Sequence, residues 1–213
     1  EMGIKPYPCC RWFHTPIYML KTIMKNEGLK PDDIESITIK VHPAVAKSEL
    51  FQSLSRWHDW ELKDAVHAQY SAGYVLACAA YDIPVGPQWQ MPVTLTNPQL
   101  VEFSKKVTST IDEKCEQKMI QYLNSDQPKG KLMTQVHYTL EVVSNKGTFK
   151  DTAEYIYGDT YDLDHSLSRD ELKEKFIGNS SAVLDAKTMK KVIDATYKID
   201  SFKFINDFTA LFE

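Results

Sequence analysis

Leu132-Met-Thr-Gln-Val-His-Tyr-Thr-Leu-Glu-Val-Val-Ser-Asn-Lys-Gly-Thr-Phe-Lys-Asp-Thr-Ala-Glu-Tyr-Ile-Tyr157 is the stretch that decides the fold of this chain. Leu132, Val136, Tyr138, Leu140 and Val142 share one strand face, because side chains alternate across a pleated strand. Ser144-Asn-Lys-Gly147 carries the residues of a tight turn. Phe149, Ala153, Tyr155 and Tyr157 share one face of the return strand, so the stretch predicts a long antiparallel hairpin.

Working outward, Ile37, Ile39 and Val41 alternate with Thr38 and Lys40 and predict a further half-buried strand, and Val107 to Cys115 predicts another. Helices surround these strands. Thr15-Pro16 reads as a cap and first turn, with Ile17, Leu20 and Met24 on one face and Gly28 and Pro31 as the stop. Asp59 reads as the cap of a helix over 61–81. The second half of that helix, through Ala72 to Tyr81, is small and apolar on nearly every side, which predicts burial with close neighbours. Asn97-Pro98 opens a helix to Lys105, Ser168-Arg-Asp-Glu171 forms a capping box, and 185–197 and 201–212 are amphipathic helices. Residues 44–60 read as a long loop. Antiparallel strands with helices before, between and after them predict an α+β fold with a mostly antiparallel sheet, organised as an α+β domain over 1–180 and C-terminal helices over 181–213.

The composition bounds the function. Of 213 residues, 43% are hydrophobic and 25% charged, with a net charge of −4 and a pI near 5.9. That is an ordinary globular composition with no basic stripe for nucleic acid. The longest apolar run, Ala72 to Tyr81, falls short of the ~18 residues a membrane span needs. Cys9, Cys10, Cys78 and Cys115 form no CxxC pair, which fits a reducing compartment, the cytoplasm or an organelle matrix. Nucleotide-binding glycine loops, nucleophile elbows and HExxH are absent from the sequence.

Candidate chemistry concentrates in Lys5-Pro-Tyr-Pro-Cys-Cys-Arg-Trp-Phe-His14. Lys5, Arg11 and His14 precede a helix start, where unpaired amides and the helix dipole add positive potential, a combination suited to carboxylates. The plain alternative is solvated Lys5 and Arg11 with His14 packed on the helix. A metal site from Cys9, Cys10 and His14 is disfavoured, because adjacent cysteines do not readily share one tetrahedral ion. A Cys10 nucleophile with His14 as base requires a lowered thiol pKa. His58 beside Asp59 reads as a loop histidine, and the acidic run 159–175 as a solvated face.

This run resembles the segment that opens the second domain of MmgE/PrpD proteins. Three further landmarks follow in order: Pro31-Asp-Asp-Ile-Glu-Ser-Ile-Thr-Ile-Lys-Val41, Ala68-Gln-Tyr-Ser-Ala-Gly-Tyr-Val-Leu-Ala-Cys-Ala-Ala80, and Gly158-Asp159 followed by Leu167-Ser-Arg-Asp-Glu-Leu-Lys-Glu-Lys-Phe176. The family includes 2-methylcitrate dehydratase, cis-aconitate decarboxylase and iminodisuccinate epimerase. The resemblance implies a cofactor-free and metal-free lyase or isomerase of small di- or tricarboxylic acids, homodimeric, with its site between this domain and an all-helical N-terminal domain or partner chain that holds the base. This chain is then expected to be inactive alone. Lys5 matches a family lysine lining the substrate cleft, and His14 a histidine of several branches. Cys10 stands where the decarboxylase branch has a histidine, Cys10-Arg11 is nearer the epimerase type, and Tyr161-Asp-Leu-Asp-His165 replaces the usual Asn-Pro. The candidates are thus Lys5, His14 and Cys10 for catalysis and Lys5, Arg11 and Tyr7 for substrate binding. The rival expectation is a non-catalytic binding or scaffold module derived from the same family.

Overall fold

The computed structural model describes residues 3–43, 64–126, 136–160 and 163–212. The expected 44–60 loop, the Asp59 cap with its His58 neighbour, and Leu132 lie outside the described residues. The described residues form an α+β fold around a four-stranded mixed sheet. Its strands are β1 (Ile34–Val41), β2 (Val107–Ile111), β3 (Tyr138–Ser144) and β4 (Gly147–Ala153), in the order β2-β1-β3-β4. β1 pairs in parallel with β2, while β1 with β3 and β3 with β4 pair antiparallel. The hairpin closes where expected, with Ser144 opposite Gly147 across Asn145 and Lys146. Ile37, Ile39 and Val41 of β1 and Tyr138, Leu140 and Val142 of β3 are fully buried on one face, as the two-residue period requires.

Helix α1 (His14–Glu27) packs that face through Ile17, Leu20 and Ile23 and ends at Gly28, whose left-handed backbone (φ 60°) caps it. Thr15 is not the cap. Its hydroxyl donates to the Tyr155 carbonyl at 2.9 Å and accepts from the Tyr157 amide at 3.0 Å, tying α1 to the chain leaving β4. A 3-10 turn, Arg11–Phe13, instead precedes the helix.

The helix expected over 61–81 is two helices in the described part, α2 (Ala65–Tyr70) and α3 (Ala72–Ala80). Asp64 caps the first and Ser71 the second. The break has a tertiary cause: the Gln69 carbonyl accepts from the Cys10 amide at 2.9 Å rather than continuing the helical ladder. Every residue of α3 is buried. A Cβ on Gly73 would lie 2.8 Å from the Ser104 carbonyl oxygen, so α3 needs glycine where it meets α5. Between them runs α4 (Pro92–Leu95), and α5 (Pro98–Ser104) starts at the predicted Asn97 cap. The predicted strand 107–115 stops at Ile111, because Asp112 turns the chain into α6 (Glu113–Leu123) by accepting from the Cys115 amide at 3.0 Å.

The chain divides into two compact units, 1–166 and 167–213. The second contains α7 (Arg169–Ser180), opened by the predicted Ser168/Glu171 capping box, and α8 (Ala186–Thr196), capped by Asp185. Met189 and Val192 are its buried residues, and Arg169 lies 5.6 Å over the Tyr197 ring. The expected single helix 201–212 is fragmented, with only α9 (Ile205–Thr209) and flanking 3-10 turns. Phe208 there meets Phe202 and Phe212 edge-on at 5.8 and 5.7 Å.

Candidate functional site

The segment ahead of α1 is a strap fastened along its length. The Ile4 amide donates to the Gly158 carbonyl at 3.0 Å, and the Cys10 amide to Gln69. Gly158 has φ +91°, and a Cβ there would sit 2.4 Å from the Ile4 carbonyl oxygen and 2.7 Å from Pro6 Cδ. Only glycine lets the turn after β4 approach the strap so closely. Tyr7 stacks on buried Trp89 (centroids 5.9 Å, 11° between planes) and meets the His14 ring edge-on at 5.9 Å.

Arg11 and His14 do not add two charges to that of Lys5. Arg11 forms an ion pair with Asp159, a residue of the acidic run expected to be solvated but only 14% exposed at its side chain. Burial raises the Asp159 carboxyl from its ordinary pKa, and the Arg11 guanidinium opposes the rise. The guanidinium also lies 5.7 Å over the Trp12 ring, and its buried Nε has no hydrogen-bond partner among the described residues. His14 is 2% exposed. Burial lowers its pKa to about 4, the backbone carbonyls of Cys9 and Tyr157 opposing and the charges of Lys5 and Arg11 reinforcing the shift. It is therefore neutral at physiological pH, with Nε2 buried and unpartnered among the described residues. Lys5 is exposed and makes no ion pair among the described residues, and its charge still reaches Cys9, Cys10 and His14.

The helix start is also less open than expected. The Phe13 and His14 amides bond back to the Cys10 and Arg11 carbonyls, so they are not free for an anion. The Trp12 amide faces the Cys10 sulfur. Burial pushes the Cys10 thiol up, and Trp12, Lys5 and Arg11 only partly counter it, so Cys10 is a protonated thiol at neutral pH rather than an activated nucleophile. Cys9 is fully buried with its thiol raised further, and no disulfide joins any of the four cysteines.

Sequence reasoning missed a second polar constellation. Asp112 Oδ2 accepts from His137 Nδ1 at 2.8 Å and from the Thr139 hydroxyl at 3.1 Å, all three groups buried. Asp112 falls inside the strand expected over 107–115, and its pairing with a histidine 25 residues away has no local signal. Tyr7 alone among the predicted site residues lines a cleft of about 670 Å³ between α1 and the end of α3. Among the described residues no group of three His, Cys, Asp or Glu could hold a metal ion, and no helix is long and apolar enough to cross a membrane.

The family described as MmgE/PrpD C-terminal domain matches residues 7–199, nearly the whole chain, beginning two positions after Lys5. No curated protein matches the chain.

Proposed function

The chain belongs to the MmgE/PrpD family, and from that premise we propose that it is the C-terminal part of a cofactor-independent lyase or isomerase of a small di- or tricarboxylic acid. In this reading it supplies carboxylate binding, while the helical domain or partner chain, in a homodimer, supplies the base. The observation that carries it is Lys5, exposed and without an ion pair among the described residues, on a strap held beside buried, neutral His14.

Removing a proton next to a carboxylate moves negative charge onto that carboxylate. Lys5 is the group suited to receive it, because it sits on a strap fastened at Ile4 and Cys10 and makes no ion pair among the described residues that would have to be broken. Arg11 would contribute a weaker field while it stays on Asp159, and would bind substrate directly only by exchanging that carboxylate for the substrate's. His14, neutral at physiological pH, would be a weaker proton acceptor than an unperturbed histidine, and in this reading it serves as a neutral hydrogen-bonding wall rather than as a second cation. Cys10, protonated and buried, would act as a weak donor in the position where some relatives have histidine. Tyr7 would shape the edge of the site through its contact with His14.

The test is turnover of the full-length protein on a panel of citrate-like, aconitate-like and amino-dicarboxylate substrates, comparing Lys5→Ala and Lys5→Arg. Losing one preorganised electrostatic contact is expected to lower kcat by roughly 10²-fold or more, with partial recovery in the arginine variant. Unchanged kinetics in Lys5→Ala would remove Lys5 from the mechanism.

A further inference from the structure

The cleft beside α1 has a chemistry of its own. Tyr157 stacks on Tyr18 at 4.5 Å and 24°, and Tyr7 tilts against Tyr157 at 6.2 Å and 37°. With Trp89 behind Tyr7, four rings form a continuous ladder, and its three tyrosines line the cleft. Ala79, Ala80, Met24 and Leu29 add apolar lining. Alanines at the end of α3 leave room that larger side chains would fill.

Charge at the cleft is equally specific. Lys21 is bonded to Asp82 at 2.9 Å, so its charge is offset. Lys25, exposed on the next turn of α1, has no ion pair among the described residues, which leaves one net positive charge on the lining. The volume, about 670 Å³, lies in the range of pockets that take whole organic molecules, roughly 300–1,000 Å³.

We infer that this cleft is a binding site for a planar aromatic monocarboxylate, its ring held against the lining tyrosines and its carboxylate placed at Lys25. Aromatic side chains favour a flat ring in offset or edge-on contact, and a single uncompensated cation favours a single anionic group. The inference stands apart from the polycarboxylate reading, because neither Lys5 nor Arg11 lines the cleft. Tyr7 is the shared residue, touching His14 at 5.9 Å and lining the cleft, so a bound ring would press on the strap.

The experiment is calorimetric or NMR titration of the full chain with benzoate, benzamide and cyclohexanecarboxylate. Benzoate is expected to bind saturably with a Kd on the order of 1 mM, as a small ligand of modest efficiency does. Benzamide, lacking the charge, and cyclohexanecarboxylate, lacking the flat ring, are expected to bind at least about fivefold more weakly. Lys25→Gln, at an exposed position, is expected to weaken benzoate about threefold or more without changing benzamide. Tyr18→Leu is expected to weaken both ring ligands, and Lys5→Ala to leave all three unchanged. Absence of saturable benzoate binding, a Kd indifferent to Lys25→Gln, or loss of binding in Lys5→Ala would each overturn the inference.

Discussion

Asp112 and His137 are bonded at 2.8 Å although they lie 25 residues apart, at the end of β2 and just before β3, two strands that do not pair with each other. The same carboxylate caps α6 through the Cys115 amide and accepts from Thr139. One buried side chain thus fixes a helix start to a strand across the intervening end of β1, whose Val41 carbonyl accepts from the Asp112 amide at 2.9 Å.

Removing this carboxylate is expected to destabilise the fold. Burial alone would raise the Asp112 pKa, but the bonds from His137, Cys115 and Thr139 outweigh it and hold the carboxyl below its ordinary 3.8. A depressed carboxyl contributes stability that is present above the ordinary carboxylate range and is lost as pH falls below it. Asp112→Asn should therefore cost about 1–3 kcal/mol in urea unfolding at pH 7. It should also lose less stability than the unaltered chain between about pH 5 and pH 3. Equal stability of the two proteins at pH 7 would show that the constellation is incidental.

His14 loses stability in the same direction, over a window at higher pH. Its pKa falls from 6.5 to about 4 in the fold, chiefly by burial. As pH drops, the unfolded chain takes up this proton first, so stability is complete above about 6.5 and declines toward about 4, by on the order of 3 kcal/mol in the limit. The decline should be shallower in His14→Gln. In NMR the His14 ring proton should hold its neutral shift down to about pH 5. A midpoint near 6.5 would mean that the ring is solvated.

Gly158→Ala should loosen the strap while leaving the sheet intact. The substitution places a methyl 2.4 Å from the Ile4 carbonyl oxygen at a backbone φ of +91°. The expected readout is hydrogen exchange at the Ile4 and Cys10 amides faster by about tenfold or more, with β3 and β4 amides little changed. If carboxylate binding depends on the strap, the variant should also resemble Lys5→Ala in turnover. Unaltered exchange at Ile4 would mean that the turn accommodates the methyl without moving the strap.

Much of the architecture was legible because its signals are local. Asn97-Pro98, the Ser168/Glu171 box, Gly28 and the Asn145-Lys146 turn each act within a few residues, where backbone donors are satisfied or a left-handed conformation is needed. Two of the places where the reading and the structure part company share a cause in distant contacts. Ser71 divides a helix because Cys10 takes the Gln69 carbonyl, and Thr15 leaves its cap role because Tyr155 and Tyr157 use its hydroxyl.

By itself the sequence determined the alternation of strands and helices, the hairpin, the buried small-residue helix and the family, since residue type and spacing alone set these periods and caps. Only the tertiary structure decided which polar groups keep their charge. Arg11 meets Asp159 from 148 positions away, and His14 loses its proton because distant elements close over it. Desolvation and pairing energies depend on what the folded chain brings to a side chain, and no local pattern around that residue encodes it.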